Sequence, residues 1–155
     1  KSMAEHFNTN WVPEFARDLL QEKFDKTGKA CEVSDIKPIV KGQLKTENEL
    51  AKTAKHYLFC DTNPLETFVY AKVYFPNRDF SWLDSINANL NYKHYFLTYI
   101  DTPWEMDDLR DKPGQRHDMF QAFLNELKRR KKKFTILRGE LETRKQNVLQ
   151  TLKAI

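Results

Sequence analysis

The sequence predicts an α/β domain in which a parallel sheet is covered by helices on both faces. Short apolar runs alternate with longer stretches whose apolar residues recur at helical spacing. Two of the apolar runs close on an aspartate, Asp61 and Asp101, the polar carboxyl ends that buried parallel strands present to solvent. A chain of 155 residues has room for one such core and is too short for two ordinary domains, so residues 1–155 are expected to form a single unit.

Taken in order, residues 1–7 continue a helix already under way, and 8–13 are a short extended piece. Residues 14–24 return to helical spacing through Phe15, Leu19, Leu20 and Phe24. Residues 25–33 hold a glycine and several charges and read as a loop. Ser34 is a good N-cap for the next helix, with Pro38 in its first turn, where a missing N–H costs little. That helix extends to about residue 55, with a weak point at Gly42. The run 56–60 is a buried strand, 65–74 a helix, and 76–91 irregular with a short helix around 82–88. A second buried strand follows at 95–100. An amphipathic helix over 115–131, a strand at 134–137 and a closing helix over 140–155 complete the pattern. Such alternation implies right-handed strand–helix–strand units. Ligands of these folds bind beyond the carboxyl ends of the strands, where Asp61 and Asp101 stand.

Composition narrows the function. The chain is 31% charged and 40% hydrophobic, an ordinary globular balance. No stretch approaches the roughly 18 apolar residues of a membrane span, and the N-terminus lacks the apolar core of a signal peptide, so a cytoplasmic protein with no membrane partner is expected. Cys31 and Cys60 have no Cys or His at metal-ligand spacing and suggest neither a zinc site nor a disulfide; both are expected as reduced thiols in or near the core. The net charge of +4 owes much to the run Lys128-Arg129-Arg130-Lys131-Lys132-Lys133. It reads as a solvated helix end rather than a nucleic-acid patch.

Four constellations carry chemistry. Lys1-Ser2, leading into a helix, is what remains of a G-x-x-x-x-G-K-[ST] phosphate-binding loop cut before its lysine. With Lys1 where a Met would start a chain, a first strand and glycine loop are expected upstream. Asp61-Thr62, after an apolar strand, fits the carboxylate that holds Mg²⁺ opposite the loop hydroxyl; an Asp capping the next helix is the alternative, and the two can coexist. Glu14 and Arg17 share a helix face at i, i+3, either as a surface ion pair or with Glu14 binding the acceptor hydroxyl and Arg17 anchoring it or a phosphate. The turn-rich segment from Trp104 to Arg116 holds Arg110 and Arg116 and is either a lid over a triphosphate or an exposed connector.

The runs Trp11-Val12-Pro13-Glu14-Phe15-Ala16-Arg17, Ser34-Asp35-Ile36 with Gln43, Phe59-Cys60-Asp61-Thr62 with Thr67, and Trp104 through Asp107-Asp108-Leu109-Arg110 occur in that order over nearly the whole chain. Together they resemble the ribosylnicotinamide kinase domain of NadR-type proteins and related AAA-family ATPases. Asp108 stands where that family often has Gly, and Pro13 where some relatives carry a ring-stacking Trp. The resemblance implies a P-loop NTPase fold whose first strand lies in the middle of the sheet. It implies that Lys1 contacts the β- and γ-phosphates and that Ser2 and Asp61 hold Mg²⁺. It places Glu14, Arg17 and Asp35 facing the riboside, with Arg110 and Arg116 in the lid.

The function expected is therefore ATP-dependent phosphorylation of a small riboside, nicotinamide riboside first, in NAD salvage. The rival readings are a P-loop ATPase or kinase for another nucleoside or vitamin, and an ATP-sensing module of a regulator that binds without turnover. The partners expected are ATP and a small-molecule acceptor. No nucleic acid is expected for this domain, and a homo-oligomer is left open.

Overall fold

The computed structural model describes residues 1–103, 105, 109 and 113–155. They gather into two compact units, Lys1–Asn89 and Leu90–Ile155. The first unit runs α1 (Ser2–His6), β1 (Trp11–Val12), α2 (Phe15–Thr27), α3 (Val33–Ala51), β2 (Phe59–Cys60), α4 (Pro64–Tyr74) and α5 (Ser81–Asn89). The second runs β3 (Tyr95–Thr98), a single 3-10 turn at Pro113–Gln115, α6 (Arg116–Arg129), β4 (Phe134–Leu137) and α7 (Leu141–Lys153). Helices and strands alternate as an α/β fold requires, and the strands of each unit form a parallel pair.

In the first unit β1 lies parallel to β2, Trp11 opposite Phe59 and Val12 opposite Cys60. Two residues of pairing are little, and side chains secure the strands where they begin. Phe7 packs edge-on against Tyr57 with ring centroids 5.0 Å apart and stacks on Phe59 at 5.9 Å. The Thr9 hydroxyl donates to the Tyr57 carbonyl at 2.7 Å and accepts the Lys55 N–H at 2.9 Å. Val12, Ile36, Ile39, Val40, Phe68 and Leu83 are buried in this unit.

Helix boundaries follow local chemistry that the sequence pattern concealed. α2 continues to Thr27 through the region expected as loop, because its first breaker is Gly28, a left-handed cap at φ 67° whose N–H returns to the Phe24 carbonyl. α3 is capped by Glu32 rather than Ser34: the Glu32 N–H donates to Asp35 Oδ2 at 2.7 Å, which fixes the first turn two residues earlier. Pro38 then lies inside the helix, beyond the first turn, where its ring removes the bond to the Ser34 carbonyl. Both residues are exposed, so water can serve that carbonyl. Gly42 does not weaken α3; it admits the ring of Phe15, whose Cε1 lies 2.1 Å from where a Cβ would stand.

In the second unit β3 and β4 pair in parallel over four residues, Tyr95 opposite Phe134 through Thr98 opposite Leu137, with α6 as the crossover. Phe120, Leu127, Leu137, Val148 and Leu152 are buried there. Beyond β3, Asp101 Oδ2 accepts the Gly139 N–H at 2.7 Å and Asp101 Oδ1 pairs with Arg144, whose Nε donates to the Gly139 carbonyl at 2.6 Å. The Gly139 N–H, with help from Arg144, holds the Asp101 carboxyl below its ordinary range. Asp101 thus ties the ends of two strands together.

Candidate functional site

The carboxyl ends of β1 and β2 share one rim. The Asp61 N–H donates to the Val12 carbonyl at 2.8 Å, so the pairing extends one residue past β2 and sets Asp61 beside Pro13-Glu14. Thr62 follows with φ 68°. A β-branched residue in the left-handed region is strained by about 1–3 kcal/mol, and such strain persists only where the surroundings impose it. Here they do: Gln43 donates to the Thr62 carbonyl at 3.4 Å, and the Asn63 carboxamide oxygen caps α4 by accepting the Leu65 and Glu66 N–H groups at 2.8 and 3.2 Å. The helix cap is therefore Asn63, not Asp61. The exposed Asp61 carboxylate has no side-chain hydrogen bond or ion pair among the described residues.

Gln43, 2% exposed, holds three elements at once. Its Oε1 accepts the Phe15 N–H at 3.1 Å, serving the first amide of α2, and its Nε2 also donates to Glu47 Oε1 at 3.2 Å. Because Gln43 serves that amide, the Glu14 side chain does not cap its own helix. It lies instead 3.5 Å from Arg17 Nε, both groups partly exposed.

Above this floor is a cleft of about 50 Å³ lined by Glu14, Ala16, Ile39, Thr62, Glu66, Thr67 and Tyr70. Glu66 is the residue that sequence reasoning missed. It lies in the first turn of α4, partly exposed, and lines the cleft. Burial first, then the negative neighbours Glu14 and Asp61, push its pKa up to about 8. The signal was present in Asn63-Pro64, a cap and a first-turn proline, which place residue 66 on the same rim as Asp61.

The other expected site residues lie as follows. Lys1 is exposed, with Nζ 3.9 Å from Glu5 Oε1, a contact worth little in water. Ser2 opens α1. Asp35 does not line the cleft: its Oδ2 meets Lys23 Nζ at 2.6 Å as well as the Glu32 N–H. Arg116 opens α6 and donates to the Thr102 carbonyl at 2.9 Å. Arg110 lies outside the described residues, as do Trp104 and Met106 through Asp108. Cys31 and Cys60 are free, half-buried thiols pushed up to about 11 and about 12, chiefly by burial.

Ser2 and Asp61 offer a hydroxyl and a carboxylate, the hard oxygen donors that Mg²⁺ takes. Among the described residues no group of three or more His, Cys, Asp or Glu could hold a metal alone. This donor set fits an ion held by one carboxylate and completed by phosphate and water. No helix among the described residues is long and apolar enough to cross a membrane.

No curated protein matches the chain. The family model described as AAA domain matches residues 1–144, nearly the full length. With that span matched, and with parallel strands whose carboxyl ends carry Glu14 and Asp61, the chain belongs to the AAA-domain family of P-loop nucleotide-binding proteins.

Proposed function

We propose that this domain transfers the γ-phosphate of ATP to a hydroxyl of a small riboside, nicotinamide riboside foremost. The observation that carries the reading is the shared rim of β1 and β2, where Glu14, Thr62 and Glu66 line one cleft and Asp61 stands next to Thr62, at the sheet end that P-loop folds use for chemistry. In this reading Lys1-Ser2 is the end of the phosphate-binding loop.

Each residue has a defined task. Lys1 places positive charge on the β- and γ-phosphates. Ser2 and Asp61 hold Mg²⁺, which when bound neutralises charge on the phosphate oxygens. Glu14 accepts a hydrogen bond from the attacking hydroxyl and aligns it with the phosphorus, and Arg17, 3.5 Å from it, directs Glu14. Arg17 serves the acceptor's side, and Arg110 and Arg116 would supply the lid. Such catalysis rests on positioning and electrostatics, so small displacements of Glu14 cost rate steeply.

The test is a phosphorylation assay on the full-length gene product with ATP, Mg²⁺ and a panel of ribosides, read as phosphorylated product. Nicotinamide riboside should be the best acceptor, and Asp61→Asn should lower kcat at least 100-fold, the order expected for losing a group that acts at the transferring phosphate. Hydrolysis of ATP with no riboside phosphorylated, or equal transfer to every nucleoside, refutes the assignment.

A further inference from the structure

Gln43, buried in α3, directs each half of its carboxamide one residue beyond a carboxylate of the rim. Its Oε1 accepts the N–H of Phe15, which follows Glu14, and its Nε2 donates to the carbonyl of Thr62, which follows Asp61. Only one orientation allows this. Turned over, the group would set Nε2 against the Phe15 N–H and Oε1 against two acceptors, the Thr62 carbonyl and Glu47 Oε1. Glu47, itself buried, thus locks the amide by accepting from the same Nε2 at 3.2 Å. Thr62 gives an independent sign that the contact acts on the backbone: at φ 68° a β-branched residue is strained and stays only where it is held. The bond from the Asp61 N–H to the Val12 carbonyl ends the strand pairing, and Gln43 continues the tie beyond it.

We propose that Gln43 is a positioning residue that sets the backbones of Glu14 and Asp61 in register with each other, and so couples the acceptor-side carboxylate to the metal-side one. It acts through Phe15 and Thr62. When the donor bond is lost, Thr62 is free to leave the left-handed region, and the peptide that follows Asp61 turns with it. When the acceptor bond is lost, the first amide of α2 is stranded, and Glu14 at the N-cap can turn back to serve it instead of facing the cleft. Both changes displace a carboxylate without removing it, so they cost rate more than binding. The proposal rests on the kinase reading only for what the two carboxylates do.

The test compares the full-length gene product as wild type, as Gln43→Leu, and as Gln43→Leu combined with Thr62→Gly, with each fold verified by circular dichroism. Gln43→Met, unbranched and of the same length, replaces Gln43→Leu in every arm if the latter does not fold. By NMR, the Thr62 N–H of wild type should show the strong Overhauser effect to its own Hα that a positive φ produces. In Gln43→Leu that effect should weaken and the Phe15 amide should exchange faster. With ATP, Mg²⁺ and nicotinamide riboside, Gln43→Leu should lower kcat about 10-fold or more while each KM stays within about 3-fold. Glycine takes a positive φ without strain, so adding Thr62→Gly should recover kcat by about 3-fold, which a general loss of packing would not allow. A Thr62 that keeps its positive φ in Gln43→Leu, a loss confined to KM, or no recovery in the combined variant would each overturn the proposal. If the NMR changes appear but wild type phosphorylates no riboside, the kinase reading fails and the hold of Gln43 on the two carboxylates stands. Phosphorylation by wild type with kcat unchanged in Gln43→Leu has the opposite consequence.

Discussion

Replacing Gly42 with alanine pits helix propensity against packing. In an ordinary helix interior the change stabilises by about 1 kcal/mol, because alanine loses less backbone freedom on folding. At position 42 the added Cβ would stand 2.1, 2.2 and 2.5 Å from Cε1, Cζ and Cδ1 of Phe15, all well inside contact distance. The ring must move, and its backbone is held by the bond from the Phe15 N–H to Gln43, so α2 and Glu14 are drawn along. Overpacking of this kind costs about 1–3 kcal/mol, and three ring atoms within one Cβ put this case at the upper end. The net expectation is a loss of about 1–2 kcal/mol. Urea unfolding at 25 °C in two backgrounds checks it. Gly42→Ala should lower the midpoint in wild type and raise it when Phe15 is also alanine, since only the propensity gain then survives. Stabilisation in both backgrounds would show that Phe15 does not occupy the space over Gly42, and the account of how α2 is set against α3 would fail.

Gln43→Leu keeps the volume but strands the Phe15 N–H and frees the Thr62 carbonyl; it should cost about 1–3 kcal/mol in urea unfolding. Glu66 has its folded pKa raised from 4.5 to about 8, so the folded state holds the proton more tightly than the unfolded chain. The stability this proton contributes is complete below about pH 4.5 and is lost as pH rises through about 8. Wild type should therefore lose on the order of 3 kcal/mol between pH 5 and 8, a slope that Glu66→Gln removes. Asp101 behaves oppositely: its carboxyl is held low by the Gly139 N–H, so its contribution is present at neutral pH and disappears as pH falls through the folded value. Asp101→Asn should speed hydrogen exchange at the Gly139 amide at pH 7, and unchanged exchange would remove Asp101 from its role as a tie between β3 and β4.

Where apolar runs had unambiguous borders, the sequence was easily read. The strand at 134–137 lies between a cationic run and a glycine, and the structure has it at those residues. The helices at 65–74 and 82–88 were also visible, with ends one residue away. Boundaries were harder where a polar residue had two possible duties. Ser34 has the chemistry of a cap, but Glu32 and Asp35 together satisfy the chain end better, and no pattern of apolar residues records that. Gly42 looked like a helix weakness because its partner, Phe15, is remote in sequence.

For the site, Glu14 and Asp61 were legible as polar residues after apolar runs. Their proximity depends on the register of β1 against β2, a tertiary fact. Glu66 was concealed by composition: in a chain with 31% charged residues, one more glutamate in a helix reads as surface. Only the folding of α4 beside the rim brings it to the cleft.

The most direct test of the central claim is a crystal structure of the full-length gene product with a non-hydrolysable ATP analogue, Mg²⁺ and nicotinamide riboside. The account predicts the ring in the cleft beside Glu66 and Tyr70, a ribose hydroxyl within about 3 Å of a Glu14 carboxylate oxygen, and the γ-phosphate in line with it. A riboside bound away from the rim of β1 and β2, with Glu14 and Glu66 untouched, would contradict it.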